Sequence, residues 1–92
     1  MVVSNVAELG TLLGRMQPAE PDYAMRTVDA LMSAAGQLGA SDVHLQPTAD
    51  GLALKLRLDG VLQPAAVLPP EVGARVVARL KVLAGLLTYC TD

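Results

Sequence analysis

A chain of 92 residues makes one modest domain, and this one must build its core without Phe or Trp and with only two Tyr. That count all but excludes stacking on nucleic-acid bases. It also excludes a large stability reserve, because Leu, Val, Ala and Met each bury less area than an aromatic ring. The formal charge of −2 hides an asymmetry. Residues 1–54 carry Arg15 and Arg26 against Glu8, Glu20, Asp22, Asp29, Asp42 and Asp50, a net of −4, whereas residues 55–92 carry Lys55, Arg57, Arg75, Arg79 and Lys81 against Asp59, Glu71 and Asp92, a net of +2. A mildly basic second half suits a phosphate or an acidic partner, with a solvated surface as the default. The lone Cys90 cannot form an intramolecular disulfide and fits a reducing compartment. No apolar run approaches the roughly 18–20 residues that span a bilayer, and Met-Val-Val-Ser-Asn lacks the basic start of a signal peptide. The expectation is a cytoplasmic chain with no direct membrane insertion.

The chain begins with a capping-box signature, Asn5 followed by Glu8, ahead of Val6, Leu9, Leu13 and Met16 on one helical face. Gly10 and Gly14 weaken this helix by up to about 1 kcal/mol each, so it is expected to be short and mobile. Pro18 ends it, and residues 1–20 read as a short helix plus linker ahead of an α+β unit over 21–92. Asp22 is the N-cap of a second helix with Ala24, Val28, Leu31, Ala35 and Leu38 in its stripe, widened by the gap fillers Met25 and Met32. Gly39 stands where a left-handed C-terminal cap belongs.

Strict alternation follows. Asp42–Gln46 places Val43 and Leu45 on one face and Asp42, His44 and Gln46 on the other. After a Thr48-Ala-Asp-Gly51 turn, Leu52, Leu54, Leu56 and Leu58 share one face, and Ala53, Lys55 and Arg57 share the opposite one. Asp59-Gly60 is a strong two-residue hairpin signal, since both central positions tolerate positive φ. The third strand, Val61–Leu68, contains Pro64, which cannot donate to a ladder and argues for a sheet edge. Pro69-Pro70 then launches a last helix with Val72, Val76, Leu80, Leu83 and Leu87 as its buried stripe. Glu71, Arg75 and Arg79 follow at a spacing of four along an exposed edge, where they pair. The predicted fold is α+β: a three-stranded antiparallel meander with its second strand central, packed with two to three helices in the order α-α-β-β-β-α. The ending lacks a closing element, which reads as part of a longer polypeptide.

Three blocks carry a resemblance: Ala-Ser-Asp-Val-His-Leu-Gln-Pro over 40–47, Lys-Leu-Arg-Leu-Asp-Gly-Val-Leu over 55–62, and Ala-Arg-Leu-Lys-Val-Leu-Ala over 78–84. Together they look like the N-terminal domain of the ATPases of type II secretion and type IV pilus assembly. That family reads Ala-Ser-Asp-Ile-His-Ile-Glu-Pro, then Arg-x-Arg-x-Asp-Gly-Val-Leu, then a Ser-Arg-Leu/Ile-Lys-Val-Met/Leu-Ala helix. The match covers roughly residues 38–87, and three blocks in register are far more specific than any one. The resemblance implies a domain that docks on the C-terminal ATPase core of its own polypeptide and on neighbouring subunits of a hexamer, with membrane-platform secretion proteins as further partners. ATP and Mg would belong to the parent protein. This chain contains no Gly-x-x-x-x-Gly-Lys-Ser/Thr loop, so these residues alone are expected to hold no cofactor and to be catalytically inert.

Carried over residue by residue, the resemblance makes Lys55 and Arg57 the candidates for contact with nucleotide phosphates or with another domain. Arg79 and Lys81 are candidates for interdomain contact. Arg57 matches the second Arg of the family motif. Lys55 replaces the first, and an ammonium lacks the planar fork that grips phosphate. Gln46 replaces a Glu, and Cys90 lies in a stretch that is often basic in relatives. Without the resemblance, Lys55 and Arg57 are solvated charges that alternation alone predicts. His44, with Asp42 nearby, makes an incomplete metal-ligand set and reads as a hydrogen-bonded strand histidine. The competing reading from another class is a complete small interaction or dimerisation module with no ATPase partner in the same chain. A nucleic-acid module is disfavoured by the acidic balance and missing aromatics.

Overall fold

The computed structural model describes residues 3–82 and 87–89. Helix α1 spans Val6–Gly14 and starts as the capping signature predicts: the Asn5 side chain accepts from the Glu8 amide at 2.9 Å. The Glu8 carboxylate reaches one residue further back, accepting from Ser4 N at 2.7 Å. Val6, Leu9 and Leu13 are buried, and the Val3 amide donates to Gln37 Oε1 at 2.8 Å, so α1 shares the core of the residues after 20.

Helix α2, Tyr23–Leu38, ends as expected: Gly39 adopts φ 74° and its amide bonds to Gly36 O, while Ala40 N bonds back to Ala35 O at 2.9 Å. This is the Schellman arrangement that satisfies the last carbonyls. Two expectations for α2 need correction. Asp22 stands at the N-cap, yet its side chain makes no capping hydrogen bond. Met25 is 45% exposed and fills no gap. The stripe is instead anchored by Tyr23 and Thr27, followed by Val28, Leu31, Ala34 and Ala35. Tyr23 is only 2% exposed.

Strands β1 (Asp42–Thr48), β2 (Gly51–Leu58) and β3 (Val61–Leu68) form the antiparallel meander, with Asp59 at φ 52° and Gly60 at φ 81° in the tight turn. Pro64 lies on an edge strand as expected, at a register shift where Leu54 faces Ala66 but Lys55 faces Pro64. Ala65 is thus the extra residue of a bulge, in the strand whose ladder Pro64 already interrupts.

The last helix does not include Leu87, although its apolar spacing implies that it should. Helix α3 covers Pro70–Val82, and Leu87 belongs to a fourth strand, β4 (Leu87–Tyr89), parallel to β1. The sheet order is therefore β3-β2-β1-β4, and both β1 and β2 are interior. Leu87 alternates as well in a strand as it continues a helical stripe, and the parallel partner that decides between them is distant in sequence. The expected role of Leu83 and the free thiol of Cys90 lie outside the described residues. The charges on α3 also depart from expectation: among the described residues Glu71, Arg75 and Arg79 form no ion pair. Arg75 donates to Pro18 O at 3.5 Å, and Arg79 is half-buried with its Nε shut off from solvent.

The core lies between the sheet and the helices and is drawn from Leu9, Leu31, Val43, Leu45, Leu54, Leu56, Val72 and Val76. Gly10 is what lets α1 lie on β3. A Cβ there would sit 2.5 Å from Ala65 O, so the residue that weakens the helix also permits its closest approach. Gly10→Ala, which would strengthen an isolated helix by about 1 kcal/mol, should therefore lower the urea midpoint of the folded protein. A raised midpoint would contradict this packing.

Burial raises the pKa of the Tyr23 phenol above its ordinary 10.0, only partly offset by a hydrogen bond with Thr27 and by the nearby Arg75 guanidinium. A raised folded-state pKa means that the unfolded chain loses its proton first. The contribution of Tyr23 to stability is complete below the ordinary phenol value and is lost as pH climbs through and past it. Melts at pH 8 and pH 11 should show a smaller loss for Tyr23→Phe than for the wild type, and equal losses would contradict the assignment.

Candidate functional site

Alternation turns the polar positions of β1 and β2 to the sheet face opposite the helices, and the tight Ala49-Asp50 turn sets which of them meet. The Thr48 hydroxyl locks that turn, accepting from Asp50 N at 3.2 Å and donating to Gly51 O at 3.0 Å. The resulting register puts Asp42 opposite Arg57, His44 opposite Lys55, and Gln46 opposite Ala53. On the β3 side, Leu62 faces Arg57, Pro64 faces Lys55 and the exposed Val67 faces Ala53.

The structure thus brings Lys55 and Arg57 together on one face, two residues apart on a strand and so about 7 Å from each other. Their states differ. The Arg57 guanidinium is held at two points: Nε donates to Asp42 Oδ2 at 3.2 Å, and Nη1 donates to Gly60 O at 3.3 Å. Among the described residues none pairs with the Lys55 ammonium. His44 Nε2 lies 4.0 Å from Asp42 Oδ1. No group of three or more His, Cys, Asp and Glu that could hold a metal occurs among the described residues.

Arg79 and Lys81 are not part of this face. Both lie on α3, in the helical layer, and Lys81 lines a groove of about 490 Å³ together with Pro47, Thr48, Leu52, Gly73 and Val77. The four basic residues therefore form two separate sets, one per layer. Asp42, read in the sequence only beside His44, is the partner of Arg57 on this face, and a two-residue turn at 49–50 already implies that 42 meets 57.

A strand face with two cations, one pre-ordered by a carboxylate and a turn carbonyl, has the charge and donor geometry to receive an anion. The profile of the family described as Type II/IV secretion system protein matches residues 18–89. The chain belongs to this family. It is 39% identical over 67 residues to a Protein transport protein HofB homolog from Haemophilus influenzae, covering 73% of this chain and 14% of that protein. It is 39% identical over 70 residues to the Type IV pilus assembly ATPase PilB from Pseudomonas aeruginosa, covering 74% of this chain and 12% of the relative. With Type II secretion system protein E from Xanthomonas campestris pv. campestris it shares 36% identity over 62 residues, covering 67% and 11%. The chain thus spans between 11% and 14% of the length of these relatives. No solved structure gives a significant match. Among the described residues of this family member, no helix is long and apolar enough to cross a membrane.

Proposed function

We propose that this segment is the non-catalytic N-terminal domain of a hexameric type II secretion or type IV pilus assembly ATPase. It docks on the C-terminal nucleotide-binding core of its own polypeptide and on neighbouring subunits, works in the cytoplasm, and reaches the membrane only through platform proteins. Its open sheet face turns Lys55 and Arg57 towards nucleotide phosphates, while Arg79 and Lys81 serve interdomain contacts from the helical layer.

The observation that carries this reading is the arrangement on the open face. Among the described residues one Arg57 guanidinium nitrogen has no partner and none pairs with Lys55 beside it, which suits a phosphate chain. The residues fit the phosphates of ATP and not its metal, so Mg would be held by the core. When bound, ATP supplies the phosphoryl group whose transfer drives the motor. This domain contributes fixed positive charge where negative charge develops. The relatives named as ATPases, and the small fraction of their length that this chain matches, support placement within a longer protein.

Sequencing the gene past codon 92 tests the placement: a Gly-x-x-x-x-Gly-Lys-Ser/Thr loop downstream is expected. The segment expressed alone should show no ATP turnover above background, and measurable turnover would overturn the non-catalytic assignment.

A further inference from the structure

Asp42 has a surrounding that its place in a strand does not explain. Its carboxylate is 28% exposed and takes the Arg57 Nε on Oδ2, while Oδ1 is shut off from solvent with no hydrogen-bond partner among the described residues and only His44 Nε2, 4.0 Å away, near it. A half-satisfied carboxylate against a strand is an expensive way to stabilise a hairpin, since a buried acceptor without a hydrogen bond offsets much of what the pair contributes. The geometry shows what the arrangement achieves. The Arg57 side chain is clamped from both ends of its strand pair, by Asp42 on β1 and by Gly60 O in the β2–β3 turn. Nη2 makes no bond to any described residue.

We propose that Asp42 is a positioning residue for Arg57. It fixes the guanidinium plane before the anion arrives, so that Nη2 and the second hydrogen of Nη1 face outward together. This rests on the reading that Arg57 meets a nucleotide phosphate. An unclamped arginine would reach the same phosphate, but only after losing its rotamer freedom at the moment of reaction. The two effects of Asp42 oppose each other and so can be separated. Its charge weakens the pull of Arg57 on a bound polyanion, which affects affinity, whereas its hydrogen bond sets orientation, which affects the rate of the chemical step.

The test is a double-mutant cycle in the full-length hexameric ATPase, with ATP turnover as the readout. Asp42→Ala should lower kcat by about tenfold or more, with KM for ATP unchanged or lowered because the face has become more positive. In an Arg57→Ala background the same substitution should change kcat by less than twofold, since there is nothing left to position. Asp42→Asn, which keeps the volume and one acceptor, should fall between wild type and Asp42→Ala, and it is read in place of Asp42→Ala where that variant fails to assemble. If Arg57→Ala lowers kcat but Asp42→Ala and Asp42→Asn do not, the positioning role is overturned and the phosphate role of Arg57 stands. An equal loss from Asp42→Ala in both backgrounds, or a rise in KM matching the fall in kcat, also overturns it, because Asp42 would then act only through the fold. If Arg57→Ala leaves turnover untouched, the phosphate reading fails and the positioning role fails with it.

Discussion

Replacing Arg57 with Ala in the full-length ATPase should lower kcat by about a thousandfold, with a much smaller change in KM. A guanidinium supplied where charge develops on a transferring phosphoryl group is worth about 10³–10⁵ in rate, and the lower end suits a residue that already shares its charge with Asp42. Arg57→Lys should not rescue the loss. The ammonium can donate, but it cannot hold Asp42 Oδ2 and Gly60 O with two nitrogens while offering a third outward, which is the geometry seen here. Lys55→Ala should cost far less, because Lys55 offers a point charge with no orienting partner among the described residues. Steady-state turnover of the three variants checks the ranking, and equal losses at 55 and 57 would contradict it.

Leu54→Ala should be the most damaging single change to the fold, lowering stability by about 3–5 kcal/mol. Leu54 is 0% exposed, on an interior strand, where its neighbours Leu45 and Leu56 are equally buried. No Phe or Trp stands behind it to refill the space, so a cavity should persist. Against a total of about 5–15 kcal/mol for an ordinary domain, that loss leaves a substantial unfolded population. Met25→Ala is the control: its side chain is largely in water, and the change should stay within about 0.5 kcal/mol. Urea denaturation of both variants measures the contrast, and a small effect at Leu54 would mean that the leucine face is not the core.

Much of the fold was legible because local chemistry and long-range pairing agree. Leu52, Leu54 and Leu56 alternate with Ala53, Lys55 and Arg57, and the sheet buries the first set, as alternation requires. Asp59-Gly60, Gly39 and Pro64 each do what their backbone preferences dictate. The departures occur where a distant partner decides. Leu87 pairs with Val43 across the sheet, which no local spacing reveals. Met25 and Tyr23 are both plausible on an apolar helix face, and the position of α3 and the 18–22 turn selects Tyr23, whose neighbours include Glu71 and Arg75. Gly10 reads locally as a weak point, and only the approach of Ala65 O shows why a glycine is needed there.

The candidate site was legible in kind but not in connection. Alternation placed Lys55 and Arg57 on the open face, and the family resemblance attached a phosphate to them. The clamp on Arg57 depends on which residues two strands and a turn bring together, whereas Asp42 looks in sequence like one more acidic residue. The two helical basic residues separated from the pair because α3 lies on the opposite side of the sheet, a fact of layer order and not of charge pattern.

The most direct test of the account is a structure of the full-length protein bound to a non-hydrolysable ATP analogue. It should place an Arg57 guanidinium nitrogen about 2.7–3.2 Å from a phosphate oxygen, with the Asp42 contact retained. A nucleotide bound in the core with the open face of this sheet turned to solvent, or covered by another surface that leaves Arg57 far from the phosphates, would contradict it.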